Sequence, residues 1–361
     1  MRRKLLQIFA FAIFSSSLIL AGSTAGAPAV GQGGAAASGC DRACLNGFVD
    51  QFVDALAAHD PSRLPVTRWV KYTENGQQLE LGDGFWRTAG ARGAYKLYVD
   101  DPEAGQVGFE GVLQEAGHPV LLALRLKIEN RKISEIETIV ARGGLTETGA
   151  GNLEKLGKPR AGFDEEIPPA ERVSRAELIR TADKYFSGMQ KDDGKGDYSF
   201  FGDDCNRLEN GMQTTNNLTP MPGLSASGQP RPAPSAKYDP ATNPTMYSAG
   251  WSCKDQFRSG LLHFVSRIRD RRYPIVDEER GIVWGFGFFD HQAGDTRNFE
   301  TPTGQHVTAG PTTPWTWEIA EFFKVRHGQL HEIEAVLTQS PYGMCSGWSS
   351  YEQCRSDQPQ W

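Results

Sequence analysis

Ile133-Ser134-Glu135-Ile136-Glu137-Thr138-Ile139-Val140 and, late in the chain, Leu330-His331-Glu332-Ile333-Glu334-Ala335-Val336-Leu337 follow one pattern. Each alternates apolar and polar residues, the period of a strand with one buried face. Each follows a second run of strand character, Leu124-Arg125-Leu126-Lys127-Ile128 in one case and Ala320-Glu321-Phe322-Phe323-Lys324-Val325 in the other. The joins are polar turns, Asn130-Arg131 and His327-Gly328. Further upstream, Tyr72-Thr73-Glu74-Asn75-Gly76 answers to Arg207-Leu208-Glu209-Asn210-Gly211. The same order twice implies a duplicated domain of about 100 residues with insertions.

The flanking residues complete each copy. Phe48, Phe52, Val53 and Leu56 share one helical stripe that ends at His59-Asp60-Pro61. In the second copy Ala176, Ile179, Ala182, Asp183 and Phe186 follow Ser174, with Glu177 placed to complete a capping box. Residues 255–268 predict a helix with Phe257, Leu261, Phe264 and Ile268 on one face. Strands are expected at 282–289, 315–325 and 330–338. Helices followed by long antiparallel strands give an α+β class. The expected domains are residues 40–142 and 173–340, joined by a Gly- and Pro-punctuated linker at 143–172. The second carries a long insert at 214–249, a lid or a surface loop, and residues 341–361 form a cysteine-bearing tail.

Composition narrows the function classes. The chain has 361 residues and a formal charge of −6, which disfavours a nucleic-acid binder reliant on clustered Lys and Arg. Arg2, Arg3 and Lys4, an apolar run over residues 5–20 and Ala25-Gly26-Ala27 read as a signal peptide, residues 1–27. A flexible leader, residues 28–39, follows. Ser23 stands where a lipoprotein signal would need cysteine. A secreted or periplasmic protein, off the membrane once the signal is removed, is expected. All six cysteines lie beyond the leader, and an even count in an exported chain favours disulfides. Local spacing suggests Cys40–Cys44, Cys205–Cys253 and Cys345–Cys354, although sequence alone cannot choose among the pairings. No metal is expected: no Cys-x-x-Cys pair occurs. Dinucleotide, phosphate-loop and nucleophile-elbow motifs are missing, so no cofactor is expected and serine chemistry has no support.

The layout resembles the nuclear transport factor 2-like, or SnoaL-like, superfamily. The resemblance rests on Tyr72-Thr73-Glu74-Asn75-Gly76, the paired Glu-Ile-Glu strands and Trp317-Glu318-Ile319-Ala320-Glu321. It implies two tandem cone-shaped domains, each a curved antiparallel sheet wrapped around helices. The two would form within one chain the pair that many relatives form as dimers. Members include cofactor-free isomerases, cyclases, epoxide hydrolases and lyases, and also binding proteins, so the fold alone does not assign a function.

Candidate chemistry concentrates in the second copy, with the first as scaffold. An aromatic cavity with few inward polar groups suits a small molecule, and a carboxyl desolvated there can act as acid or base. The catalytic candidates are Asp290 at a strand end, His263 on the expected helix, Glu318 and Glu209. Glu318 and Glu321 lie on opposite strand faces, so only one is expected to point inward. Glu209 repeats Glu74 beside an Asn-Gly turn, and the repetition favours a structural role over a catalytic one. Arg267, Trp284, Trp317 and Phe288 are the substrate-binding candidates. The expected function is a cofactor-independent hydrolase, lyase or isomerase on a small apolar or aromatic molecule. Lignin-type aryl ethers and diols are the lead by analogy. The alternative is a small-ligand-binding or protein-interaction module, and homo-oligomerisation stays open.

Overall fold

A computed structural model describes residues 39–217, 235, 237–240, 243–294, 297–300 and 306–360. The signal peptide and leader expected at the N-terminus, and the middle of the 214–249 insert, lie outside the described residues. All described residues fall in one compact unit.

The first half runs α1 (Arg42–Ala57), β1 (Val66–Glu74), β2 (Gln77–Leu79), β3 (Ala89–Asp101), β4 (Gln106–Glu115), β5 (His118–Glu129) and β6 (Lys132–Ala141). Two short helices follow, α2 (Leu145–Leu156) and α3 (Ala161–Asp164). The second half opens with α4 (Arg175–Met189), β7 (Phe201–Glu209) and β8 (Met212–Gln213). It continues through α5 (Pro244–Tyr247), α6 (Cys253–Arg258), β9 (Arg267–Asp277) and β10 (Ile282–His291). A small ribbon, β11 (Arg297–Glu300) and β12 (His306–Ala309), precedes β13 (Trp315–Arg326), β14 (Gln329–Ser340) and α7 (Tyr351–Cys354).

The two large sheets repeat each other. Their strand orders are β2-β1-β6-β5-β4-β3 and β8-β7-β14-β13-β10-β9. The duplication seen in the sequence is therefore a duplication of topology. Neither sheet is wholly antiparallel, because β1 runs parallel to β6 and β7 parallel to β14. The Asn-Gly pairs explain this join. Asn75 and Asn210 both have positive φ, as do Gly76 and Gly211, the backbone of a tight hairpin turn. Each asparagine side chain then bonds the neighbouring parallel strand: Val140 N to Asn75 Oδ1 at 2.7 Å and Leu337 N to Asn210 Oδ1 at 2.9 Å.

Three expectations need correction. Residues 143–172 are not a bare linker, since α2 and α3 lie there. Gly149 of α2 sits on the Asn210-Gly211 turn so closely that a Cβ would lie 1.7 Å from the Asn210 carbonyl oxygen. The helix over 255–268 is also wrong. It stops at Arg258, and Gly260, at φ +66, turns the chain toward β9. Of the apolar residues that suggested a helical stripe, Phe257 is buried from α6, and Leu261, Phe264 and Ile268 from a turn and a strand instead. Ser174 does stand at the N-cap of α4, but its side chain makes no capping bond, so the expected box is absent.

Helix α1 packs on one face of the first sheet and α4 on one face of the second. The opposite faces meet in a shared core that includes Leu97, Leu121, Ile139, Trp284, Phe286 and Phe322. Burying these faces against each other couples the two halves energetically. Polar groups cross the same interface. The second glutamate of each Glu-Ile-Glu strand reaches the other sheet: Glu137 pairs with Arg272 at 2.6 Å, while Glu334 accepts from the Tyr95 hydroxyl. Cys40–Cys44, Cys205–Cys253 and Cys345–Cys354 are disulfide-bonded, as local spacing suggested. The tail lies over both sheets. The Trp348 ring sits against Lys71 and Arg125 (4.2 and 4.6 Å) and donates from Nε1 to Thr73 Oγ1 at 2.8 Å. Ser346 donates to Asp270 of β9 at 2.7 Å.

Candidate functional site

Strand alternation decides which side chains reach the interior of the second half. On β13, Trp317, Ile319 and Glu321 point to the α4 side; on β10, Phe289 and His291 do the same. With Tyr185 and Met189 of α4 and with Leu262, Phe264 and Val265 of the turn before β9, they line a cavity of about 490 Å³. The cavity is of the size and mixed character of a small-molecule site. Its rim comes partly from the first half, where Arg142, Leu145 and Thr146 face Asn210, Leu337 and Gln339. Thr214 and residues 243–246, from the two ends of the insert, add to the wall.

Glu209, Arg207, Tyr185 and Glu321 form the polar centre. Arg207 is fully buried. Its Nε lies 3.0 Å from Thr214 Oγ1 and 3.1 Å from Glu209 Oε1, its Nη1 donates to the Tyr185 hydroxyl at 3.2 Å, and its Nη2 donates to Gln256. Glu209 Oε2 accepts from the Thr245 hydroxyl at 2.9 Å. The Glu321 carboxyl is buried, and its Oε2 has no hydrogen-bond partner. Burial is the main cause that pushes its pKa up to about 8; Glu209 adds to the rise, while Arg207 and a hydrogen bond from Tyr185 oppose it. Glu321 therefore holds its proton at neutral pH and can donate it. On the wall, burial depresses the His291 imidazole to about 3, leaving it neutral, with its ring stacked 3.6 Å from that of Trp315.

Of the residues singled out from sequence, Glu209 and Trp317 line the cavity. Glu318, the expected inward acid, points the other way. Its pKa is raised by burial and by Glu137 of the first sheet, against the pull of Arg272. Asp290 shares that opposite face, bound by Arg269 at 2.7 and 3.0 Å and by the Thr316 hydroxyl at 2.7 Å. Phe288 lies beneath the Arg269 guanidinium. Trp284 is in the shared core, stacked on Phe322 with centroids 4.5 Å apart, against Gly108 of the first sheet. His263 is buried beside Phe264, with Nδ1 3.2 Å from the Gly260 carbonyl oxygen. Arg267 begins β9 opposite Asp290. None of these six lines the cavity. Asp290→Asn is accordingly expected to act on stability. It leaves Arg269 buried without its partner, at a cost of about 3–5 kcal/mol. A thermal melt should fall sharply while the folded fraction keeps its ligand affinity.

Sequence reading passed over Glu321, Arg207 and Tyr185. One signal was available in the repeat. Glu321 pairs with Ala335, whose carbonyl accepts from Asn210; Leu124 pairs with Thr138, whose carbonyl accepts from Asn75. Leu124 is therefore the first-half counterpart of Glu321, and by the same frame Tyr72 is the counterpart of Arg207. The first half fills this space with an apolar core containing Leu122, Leu124, Leu126, Phe52 and Trp86. The second half alone carries the acid and the guanidinium.

Residues 171–337 match a family model described as a domain of unknown function (DUF8021). That segment contains α4, both Glu209 and Glu321, and most of the second sheet. Among curated proteins none matches the chain.

Proposed function

We propose that both halves are nuclear transport factor 2-like (SnoaL-like) domains, and that the second is an exported, cofactor-independent acid/base enzyme. Its substrate would be a small apolar or aromatic molecule, and its reaction a hydrolysis, elimination or isomerisation. The observation that carries this reading is the Glu321 carboxyl: buried, with one oxygen unpartnered, facing a cavity walled by Trp317, Phe264 and Phe289. Glu321 donates a proton to a substrate oxygen. Glu209, held by Arg207 and Thr245, accepts a proton from water or from carbon. Arg207 fixes both Glu209 and the Tyr185 hydroxyl, so the donor and acceptor keep their roles. Two carboxyls with different environments around one guanidinium suit general acid/base work. The three disulfides fit an oxidising compartment. Among the described residues no helix is long and apolar enough to cross a membrane.

The test is turnover of a panel of aryl ethers and aryl diols by the purified protein, with no cofactor or metal added and products identified by mass spectrometry. Turnover is expected, and Ile319→Trp, which fills the cavity, should abolish it. Saturable binding without turnover would move the assignment to a ligand-binding module. Neither binding nor turnover would remove the cavity from consideration.

A further inference from the structure

Charge around the cavity is uneven. Among the described residues one guanidinium, Arg142, lines it, and a second, Arg207, is buried against the lining residues Glu209, Tyr185 and Thr214; both are engaged. Arg207 is committed to Thr214, Glu209, Tyr185 and Gln256. Arg142 at the rim is clasped by Glu115 at 2.5 and 3.0 Å and by Glu74 at 3.2 Å. Set against these two cations are Glu209 in the wall and Glu74 and Glu115 behind Arg142, while Glu321 holds its proton. His291 is neutral and adds no cation. An entering anion would lose its hydration, meet guanidiniums already paired with carboxylates and face a surplus of carboxyl oxygens.

We infer that the cavity selects its ligand by charge. It admits an uncharged molecule whose hydroxyl or ether oxygen reaches Glu321, and it turns away carboxylates and phosphates of the same shape. The inference rests on the cavity being the ligand site, and it adds the chemical class of the ligand. The Glu321 Oε2 atom, buried and unpartnered, supplies the neutral ligand's reward, because a hydroxyl or ether there satisfies a polar group that is otherwise costly.

The experiment titrates the full chain at pH 7 with 4-phenylphenol and with biphenyl-4-carboxylate, read by tryptophan fluorescence and calorimetry. The phenol is expected to bind about tenfold or more tightly than the acid. Glu115→Gln, which removes one of the two carboxylates paired with Arg142, should raise affinity for the acid about threefold or more and leave the phenol unchanged. Glu209→Gln should narrow the gap as well, which guards against misfolding of either variant alone. Equal or tighter binding of the acid overturns the charge rule while sparing the cavity. A gap that neither variant narrows also overturns it. Failure of both probes to bind overturns the cavity reading and this inference together.

Discussion

Glu321→Gln is expected to lower turnover by about 10²–10⁴-fold, the range associated with losing a positioned acid or base. The amide has the same shape and can still hydrogen bond to Tyr185, so the fold should persist. It cannot give up a proton at any working pH. The variant should melt within a few degrees of the parent at pH 5, where the native carboxyl is also uncharged. At pH 9 it should be the more stable of the two, since the parent must then ionise a carboxyl whose burial pushes its pKa up to about 8. Near-normal turnover in the glutamine variant would remove Glu321 from the chemistry. The ratio of activities, read with circular dichroism at both pH values, separates a catalytic loss from a folding one.

The second large effect is on stability against pH. Glu110 of the first sheet and Glu334 of the second are both buried at the interface between the sheets, and burial raises the pKa of each; Glu334 raises Glu110 further, while Tyr95, Arg160 and a hydrogen bond from Glu110 oppose the rise at Glu334. Glu321 and Glu318 are raised by burial as well. In the folded chain these groups keep protons that the unfolded chain releases above pH ~4.5, so stability must fall as pH climbs from there toward about 8. Carboxylates with depressed pKa, such as Glu137 between Arg272 and Arg125, act oppositely and lose their contribution only in stronger acid. The melting temperature should therefore peak near pH 5 and drop roughly 5 °C or more by pH 8, the shift expected for about 3 kcal/mol or more. Glu110→Gln replaces an acid that only the unfolded chain ionises with a neutral amide, which still supplies a donor to Glu334. It should recover about 1–3 kcal/mol at pH 8 and little at pH 5. A flat profile in the parent, or a glutamine variant less stable at pH 8, would contradict this account of the interface.

The sequence carried the strands and their repetition because alternation and Asn-Gly turns are local properties. The ends of β10, β13 and β14 fell within two residues of their expected positions. The disulfides followed from spacing, and the α+β class from the order of elements. What sequence could not supply was the second neighbour of each residue. Residues 255–268 have apolar spacing that suits a helix, yet Gly260 and the pairing of β9 with β10 override it. The site suffered from the same limit. Alternation correctly separated Glu318 from Glu321, but nothing local says which face meets α4 and which meets the other half. Choosing the wrong face placed Asp290, Phe288 and Trp284 in the cavity when they belong to the opposite side. Comparing the two copies position by position would have shown Leu124 standing for Glu321, a substitution that a scaffold needs and an acid/base site does not tolerate.

The tail has a bearing on survival among proteases. Its exposed Tyr351 lies inside the loop closed by Cys345–Cys354. A nick anywhere in that loop leaves both pieces covalently tethered, so Trp348 remains beside Lys71 and Arg125 whichever piece carries it. A cut just upstream, around Tyr342, would instead detach Trp348 together with the whole loop. The disulfide thus makes the most accessible bonds of the strap the least damaging ones to break.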